Sequence, residues 1–417
     1  MFRGGYGLNY NQEEIAISAN IFQNPGLVVS PSLFMATPSA TNPGIIYAVS
    51  SGVHDLYGYP ANPNTVSTLG ANGLPSSGSN VEIFPNTLPT MRVHHYSFDM
   101  QDELGHNFVF SLGYQGSLSH NIFFHEDPRA VPAALGYTLN PEITGGDYWG
   151  VNGHSNYNAM LAEVKHTFSS QFMADAQFAW SKSMDTSSGP YSLQDYPYNL
   201  NIGYGRSDFN VGKAFKVFGM WQPVFFHGHN NLMEKIAGGW SLSGIFNIHS
   251  GFPWNPVVSV VGGELYCGTC YAYGSLLPGG YLGGARSSTS NDAFKTVASS
   301  NFPNGGAAYF SAPTYTAYSG SAYGSALPQT PGVQRNSLNL PGYKDIDLTL
   351  SKGFGLPNLP VLGENARFEL RMDAFNVFNN LNFNPNDISN NIGSSNFGTI
   401  TGALGGRVIA LTARFSF

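Results

Sequence analysis

The sequence predicts an all-β chain: part of an antiparallel transmembrane β-barrel, about ten strands, with short periplasmic turns and long extracellular loops. Three observations predict it. They are period-two alternation near the C-terminus, a composition poor in charge and rich in aromatics, and connections that alternate between short and long. In Arg367-Phe-Glu-Leu-Arg-Met-Asp373, the residues Phe368, Leu370 and Met372 fall on one face, and Arg367, Glu369, Arg371 and Asp373 on the other. In 407–417, Ile409, Leu411, Ala413, Phe415 and Phe417 share a face opposite Arg414 and Ser416. A helix would need apolar positions three and four apart, and neither stretch has them.

Composition narrows the class. Of 417 residues, only 10 % are charged, against about 25 % in a typical soluble domain. Aromatics reach 14 %, with 23 Tyr and 30 Phe, which excludes a disordered chain. The mean hydropathy of −0.12, with no apolar run of about 18 residues, excludes a helical membrane protein. A barrel reconciles little charge with neutral hydropathy, because its lipid face is apolar and its lumen polar. The net charge of −7 and the lack of a Lys/Arg run argue against a nucleic-acid partner.

The elements follow in order. Phe2 to Tyr10 is a Gly-rich strand, and 11–89 is a long Asn/Pro/Gly/Ser loop. Met91 to Gln101 alternates, a short turn follows at 102–106, and Asn107 to Ser119 puts Phe108, Phe110, Leu112 and Tyr114 on one face. A loop spans about 122–156. Asn158 to Phe168 and Phe172 to Ser181 are strands joined by only Ser169-Ser-Gln171. After a loop at 185–206, Ser207 to Gln222 and Trp240 to His249 flank a connection of moderate length. A very long Gly/Ser/Tyr/Pro loop fills 251–341. Strand character returns at Asp345 to Ser351, and a short turn leads to the two C-terminal strands, which 380–404 separates. Strands of about ten residues suit a tilted crossing of a bilayer. An even strand number places both ends of the wall on the short-turn, periplasmic side.

Several motifs then resemble the Oar-like TonB-dependent receptor family of bacterial outer membranes. They are Phe2-Arg-Gly-Gly-Tyr-Gly-Leu-Asn-Tyr10, Leu112-Gly-Tyr-Gln-Gly-Ser117, Tyr157-Asn-Ala159 with Ala179-Trp-Ser-Lys-Ser-Met-Asp185, and Gly238-Gly-Trp-Ser-Leu-Ser-Gly244 with Ser250-Gly-Phe-Pro253. To these add Arg335-Asn336 with Pro341-Gly342, Asp347 and Ser351-Lys352, and Phe375-Asn-Val-Phe-Asn379 with Asn382-Phe383 and Phe397-Gly398. Six motifs in family order cover nearly the whole chain. The resemblance implies the C-terminal portion of a larger receptor barrel in the outer membrane, without its plug domain or signal peptide; an unplugged channel or surface-exposed structural or adhesive barrel is the alternative, and a soluble secreted β protein the third reading. In a full-length form the partners would be that plug and a TonB-type energy-coupling protein. Met1-Phe-Arg-Gly-Gly-Tyr-Gly7 shows no basic segment followed by an apolar core, which fits such a C-terminal portion.

The residues themselves suggest further roles. The row Arg367, Glu369, Arg371 and Asp373 faces the lumen, as a ladder of charges solvated or paired across strands, or as a docking surface for a plug. Phe375, Phe378, Phe415, Phe417, Trp180 and Trp240 lie near strand ends and suit an interfacial girdle against outer-membrane lipid. Ile409, Leu411, Phe415 and Phe417 resemble the C-terminal signal read by the barrel-assembly machinery, and an exposed final strand suits recognition by strand addition. Cys267 and Cys270 form a C-x-x-C pair with no βαβ context and no further cysteines, so a loop disulfide is favoured over redox or metal chemistry. His94-His95 and His227-Gly-His229 offer too few ligands for a metal site. The tyrosines of the 251–341 loop could stack on a carbohydrate or peptide, or pack the loop on itself. No cofactor motif, phosphate loop or nucleophile elbow is present, and an enzyme is not expected.

Overall fold

The computed structural model describes residues 1–11, 19, 21, 24, 78–126, 128–129, 140–169, 171–189, 200–201, 203–224, 232–258, 270–271, 307–308, 310, 335–336, 338–355, 366–391 and 394–416. Ten strands form one antiparallel meander in chain order. They are β1 (Phe2–Asn11), β2 (Met91–Gly105), β3 (Phe108–Glu126), β4 (Ile143–Ser169) and β5 (Phe172–Asp185). The other five are β6 (Lys213–Trp221), β7 (Trp240–His249), β8 (Tyr343–Gly355), β9 (Arg367–Phe375) and β10 (Val408–Ser416). Two short strands join the same sheet: Ser79–Ile83 runs parallel to β4, and Gly205–Arg206 pairs with β5. Among the described residues β1 pairs only with β2, and β10 only with β9, so the sheet has two open edges.

Turn chemistry fixes the short end. His106 and Asn107 join β2 to β3 with φ of 52° and 65°, the left-handed pair that a two-residue hairpin turn requires. The β4–β5 link is equally short. Every connection from an even to an odd strand lies at this end, and every odd-to-even connection at the other.

Register carries one face through all ten strands. Phe368 opposes Phe415, Leu370 opposes Ala413, and Met372 opposes Leu411. Leu350 opposes Met372 and, on its other side, Leu242. Phe215 opposes both Ile248 and Phe178. The same face continues through Ala162, Leu112, Met100 and Phe2. The opposite face carries Asp99, Gln115, Glu163, Gln177, Lys216, Asn247, Asp345, Asp347, Asp373 and Arg414. One face thus suits lipid and the other water. A charge in the middle of the apolar face would cost about 2–4 kcal/mol, against about 0–1 near its margins, and the charges on that face stand at its margins.

Lys352 shows how one margin is managed. It lies on the apolar face, opposite Trp240 and Leu370, and is only 5 % exposed. The β6–β7 connection contains a short helix, α1 (Leu232–Ala237), which the sequence reading did not anticipate. The Lys352 ammonium donates to the carbonyls of Ile236 (2.8 Å) and Gly238 at the end of that helix. It also stands 5.1 Å from the Trp240 ring centroid and 5.2 Å from that of Phe354. The desolvated ammonium is therefore satisfied by carbonyl dipoles and ring faces.

The strands also outrun the sequence reading at the loop end. β3 continues to Glu126 and β4 begins at Ile143, inside the stretch read as a loop at 122–156. A small core explains the extension. Val81, Phe124, Trp149 and Val151 are buried there, Phe84 stacks on Trp149 at 6.2 Å, and Trp149 donates to Glu82 Oε2 at 2.8 Å. Burial holds the Glu82 carboxyl above its usual range, despite that hydrogen bond. Both faces of the extension are covered in part, so the period-two signal fades where the strand continues.

Candidate functional site

The loop end of the wall gathers the side chains with the most developed geometry. Two sequence motifs meet there. Asp185 closes β5, and Arg335-Asn336 lies in the 250–342 connection. Arg335 Nη1 donates to Asp185 Oδ1 at 2.5 Å and to its backbone carbonyl at 2.9 Å. Arg335 Nη2 donates to Ser188 Oγ at 2.6 Å and lies 3.2 Å from Asp208 Oδ1. The Arg335 and Asp185 side chains are 5 % and 3 % exposed. Asn336, in the left-handed region at φ 55°, donates to the Arg206 carbonyl (2.7 Å) and to Asp208 Oδ1 (2.6 Å). Arg206 answers with bonds to the Asn336 and Leu338 carbonyls and to Asn339 Oδ1. Burial pulls the Arg206 guanidinium below its usual range. The network clamps the 186–212 and 250–342 connections to the top of β5.

Beside this clamp is a cavity of about 350 Å³, lined by His249, Phe252, Leu340, Tyr343, Phe383 and Ile400 among others. His249 stacks on Tyr343 at 5.0 Å and meets Phe252 edge-on at 5.6 Å. Gly251 lets the chain pass here, since a Cβ would collide with the Leu340 carbonyl. One step along the polar face from the His249–Tyr343 pair stands the cross-strand pair Asn247–Asp345. Asn247 Oδ1 and Asp345 Oδ1 are buried acceptors with no donor among the described residues. Tyr343 donates to the other Asp345 oxygen at 3.0 Å. A stack of Trp254, Phe310 and Phe397 packs nearby, with Trp254–Phe310 centroids 4.2 Å apart. The cavity's walls are mostly apolar and its volume is in the usual range of a small-ligand pocket.

The other residues singled out from the sequence are distributed as follows. Arg367, Glu369, Arg371 and Asp373 share the polar face of β9. Arg371 Nε donates to both Asp373 oxygens at 2.9 Å, and Thr349 Oγ1 to Asp373 Oδ1 at 2.6 Å. Glu369 opposes Arg414 on β10. Ile409, Leu411 and Phe415 line the apolar face of β10, 55 %, 79 % and 45 % exposed; Phe417 lies outside the described residues. Trp180, Trp240 and Phe415 stand on the apolar face, whereas register places Phe375 opposite Val408 on the other. Cys267 is outside the described residues, and the Cys270 backbone pairs with Val258. His94 and His95 point to opposite faces, so they cannot share a metal; His227 and His229 are outside the described residues. The Arg335–Asp185 clamp was missed. Its only sequence signal was the presence of both residues in motifs, 150 positions apart.

A family profile described as an outer membrane beta barrel domain matches residues 1–410. The chain belongs to that family. Its place is the outer membrane, with the apolar face of the sheet against lipid. The wall is similar in fold to the outer membrane transporter YddB from Escherichia coli, at 12 % identity and TM-score 0.42, over 81 % of this chain and 34 % of that one. It is also similar to the ferripyoverdine receptor of the outer membrane of Pseudomonas aeruginosa, at 11 % identity and TM-score 0.37, over 78 % and 27 %. The FrpB iron transporter from Neisseria meningitidis shares 11 % identity at TM-score 0.37, over 80 % and 32 %. The chain thus spans about a third of the length of these structures. No curated protein sequence matches it.

Proposed function

We propose that this outer-membrane barrel chain forms the C-terminal part of the wall of a TonB-dependent receptor, which takes up or passes a ligand captured at the loop end. The observation that carries the reading is a meander of ten strands among the described residues, with its two edges unpaired there, one apolar face and one polar face. An unsatisfied backbone group in lipid costs several kcal/mol, and each edge here presents about nine or ten such groups. The cost per edge is of order tens of kcal/mol, so both edges need further strands, and a larger barrel supplies them. The polar face then lines the lumen. In that setting the Arg367, Glu369, Arg371 and Asp373 row is a hydrated ladder that a plug domain can contact. A TonB-type protein would couple energy to that plug.

The cavity under the loops is the proposed ligand contact. Its ring-lined wall favours a ligand with a flat apolar portion. The wider test is conductance in planar bilayers. Protein that inserts without discrete conductance steps supports a receptor wall. Stable open steps would support an unplugged channel instead.

Cys267 and Cys270 are proposed to form a disulfide in the 250–342 connection, in keeping with an oxidising compartment. Protein isolated without reductant is then expected to take up no maleimide, and two equivalents after reduction. Labelling before reduction would rule the bond out.

A further inference from the structure

The apolar face has a charge asymmetry that no transport role requires. Within the register-continuous part of this face, the cations are Arg92, Lys182, Lys213, Lys344 and Lys352. The single carboxylate is Asp102, beside the β2–β3 turn. Lys352 is occupied by α1. The other four side chains are exposed at the loop-end margin, and among the described residues none has an ion-pair partner.

Their positions form one line. Register traces Lys182 through Asn158 and Gly116 to Tyr96 on β2. It traces Lys213 through Trp180, Met160 and Tyr114 to Phe98. Lys344 leads through Ile248, Phe215, Phe178, Ala162 and Leu112 to Met100. Relative to Arg92 the offsets are four residues over three strand steps, six over four, and eight over six. At about 3.3 Å per residue and about 4.8 Å per strand, this line is inclined by roughly 42–46° to the strand-crossing direction. Barrel strands tilt from the membrane normal by about 35–45°. The four cations therefore stand at one height around the wall.

The opposite margin agrees. Asp102, Phe172 and Phe354 are each ten residues from the cation on their own strand, Arg92, Lys182 and Lys344. Ten tilted residues span about 25 Å, the height of an outer-membrane apolar band. Aromatic rings stand at the upper edge. Trp180 opposes Lys213 and is 59 % exposed, and the Tyr96 and Tyr114 hydroxyls donate to Asn158, which opposes Lys182. Lys182 and Lys213 are diagonal neighbours on adjacent strands, about 7–8 Å apart, a span over which two ammonium groups can reach one phosphate.

We propose that Arg92, Lys182, Lys213 and Lys344 form a cationic belt that binds the phosphate groups of lipid headgroups in the outer leaflet. Guanidinium and ammonium groups meet phosphate through charge-assisted hydrogen bonds, and the height of the belt places them in the headgroup layer. Among the described residues these side chains have no ion-pair partner to lose.

The test uses the full chain in detergent micelles, titrated with bis-phosphorylated lipid A and with its dephosphorylated form. Such binding does not depend on plug, ligand or energy coupling, so its failure is distinct from failure of the receptor reading. The phosphorylated form is expected to bind at least about tenfold more tightly. The Arg92→Gln, Lys182→Gln, Lys213→Gln, Lys344→Gln variant should lose that preference, while Lys216→Gln, on the polar face, keeps it. Heat-modifiable gel mobility reports folding. If the fourfold variant does not fold, Lys182→Gln with Lys213→Gln is read instead, with an expected loss of at least about threefold. Equal affinity for the two lipids, a preference that survives the substitutions, or an equal loss in Lys216→Gln would overturn the belt. Full competition by millimolar inorganic phosphate would assign the site to a free anion and overturn it as a lipid contact.

Discussion

Replacing Arg335 with alanine is expected to free the 186–212 and 250–342 connections from the wall, with little effect on the wall itself. The guanidinium supplies bonds to Asp185, Ser188 and Asp208 from a nearly dry site. Removing it leaves the Asp185 carboxylate buried without its cation, and breaking one half of a buried pair costs about 3–5 kcal/mol. The loss falls on loop docking, because the ten wall strands are held by their own ladders. Limited proteolysis of folded protein should therefore show loop cleavage accelerated by about two orders of magnitude or more, if cleavage follows the open population. Heat-modifiable mobility should be unchanged. Arg335→Lys should recover only part of the protection, since a single ammonium cannot reproduce the forked contact. Asp185→Asn combined with Arg335→Met should cleave more slowly than Arg335→Ala, because no uncompensated charge remains. Cleavage of Arg335→Ala at the wild-type rate would show that the loops are held by something else.

Truncating Phe415 to alanine, or deleting Phe417, is expected to lower the amount of protein assembled in the outer membrane. Among the described residues β10 is an open edge with its apolar face exposed, and strand addition onto it would bury Ile409, Leu411 and Phe415. A fully buried phenylalanine is worth about 1.5–3 kcal/mol. At about 1.4 kcal/mol per tenfold, recognition weakens by roughly one to two orders of magnitude per ring. Heat-modifiable protein in the outer-membrane fraction should fall accordingly, while unfolded protein accumulates in the periplasm. The control is Ser416→Ala, on the polar face, which should assemble normally. Assembly of Phe415→Ala at the wild-type level would remove these residues from the recognition signal.

The sequence is informative wherever a strand has one wet and one apolar face. Phe368, Leu370 and Met372 against Arg371 and Asp373 specify a face before any coordinates exist, because a one-residue slip would put arginine in lipid. The same logic made β2 to β5 and β7 readable, while β6 carries apolar residues on both faces and is less clean. It failed where that contrast fails. β3 and β4 extend past the bilayer, where Phe124 on one face and Trp149 on the other are both buried, so the alternation lapses. Helix α1 is only six residues long, too short to show a helical period. The wall is coded locally, by periodicity and turn chemistry.

The sites are not coded locally. Asp185 and Arg335 stand 150 residues apart, and no spacing rule joins them. The cavity draws its lining from β7, β8 and the 250–342 and 376–407 connections, which meet only because the meander returns each loop to the same end. The cationic line is legible only after six registers are known, since its inclination follows from strand tilt. By itself, then, the sequence determined that this chain makes strands, which face of each meets lipid, and which end carries the long loops. Side-chain period and turn residues act over a few positions, and they suffice for that. Which buried charges pair, which rings close a pocket and which lysines share a height were decided by the tertiary structure. Those contacts depend on how distant segments are brought into register, and no local pattern records it.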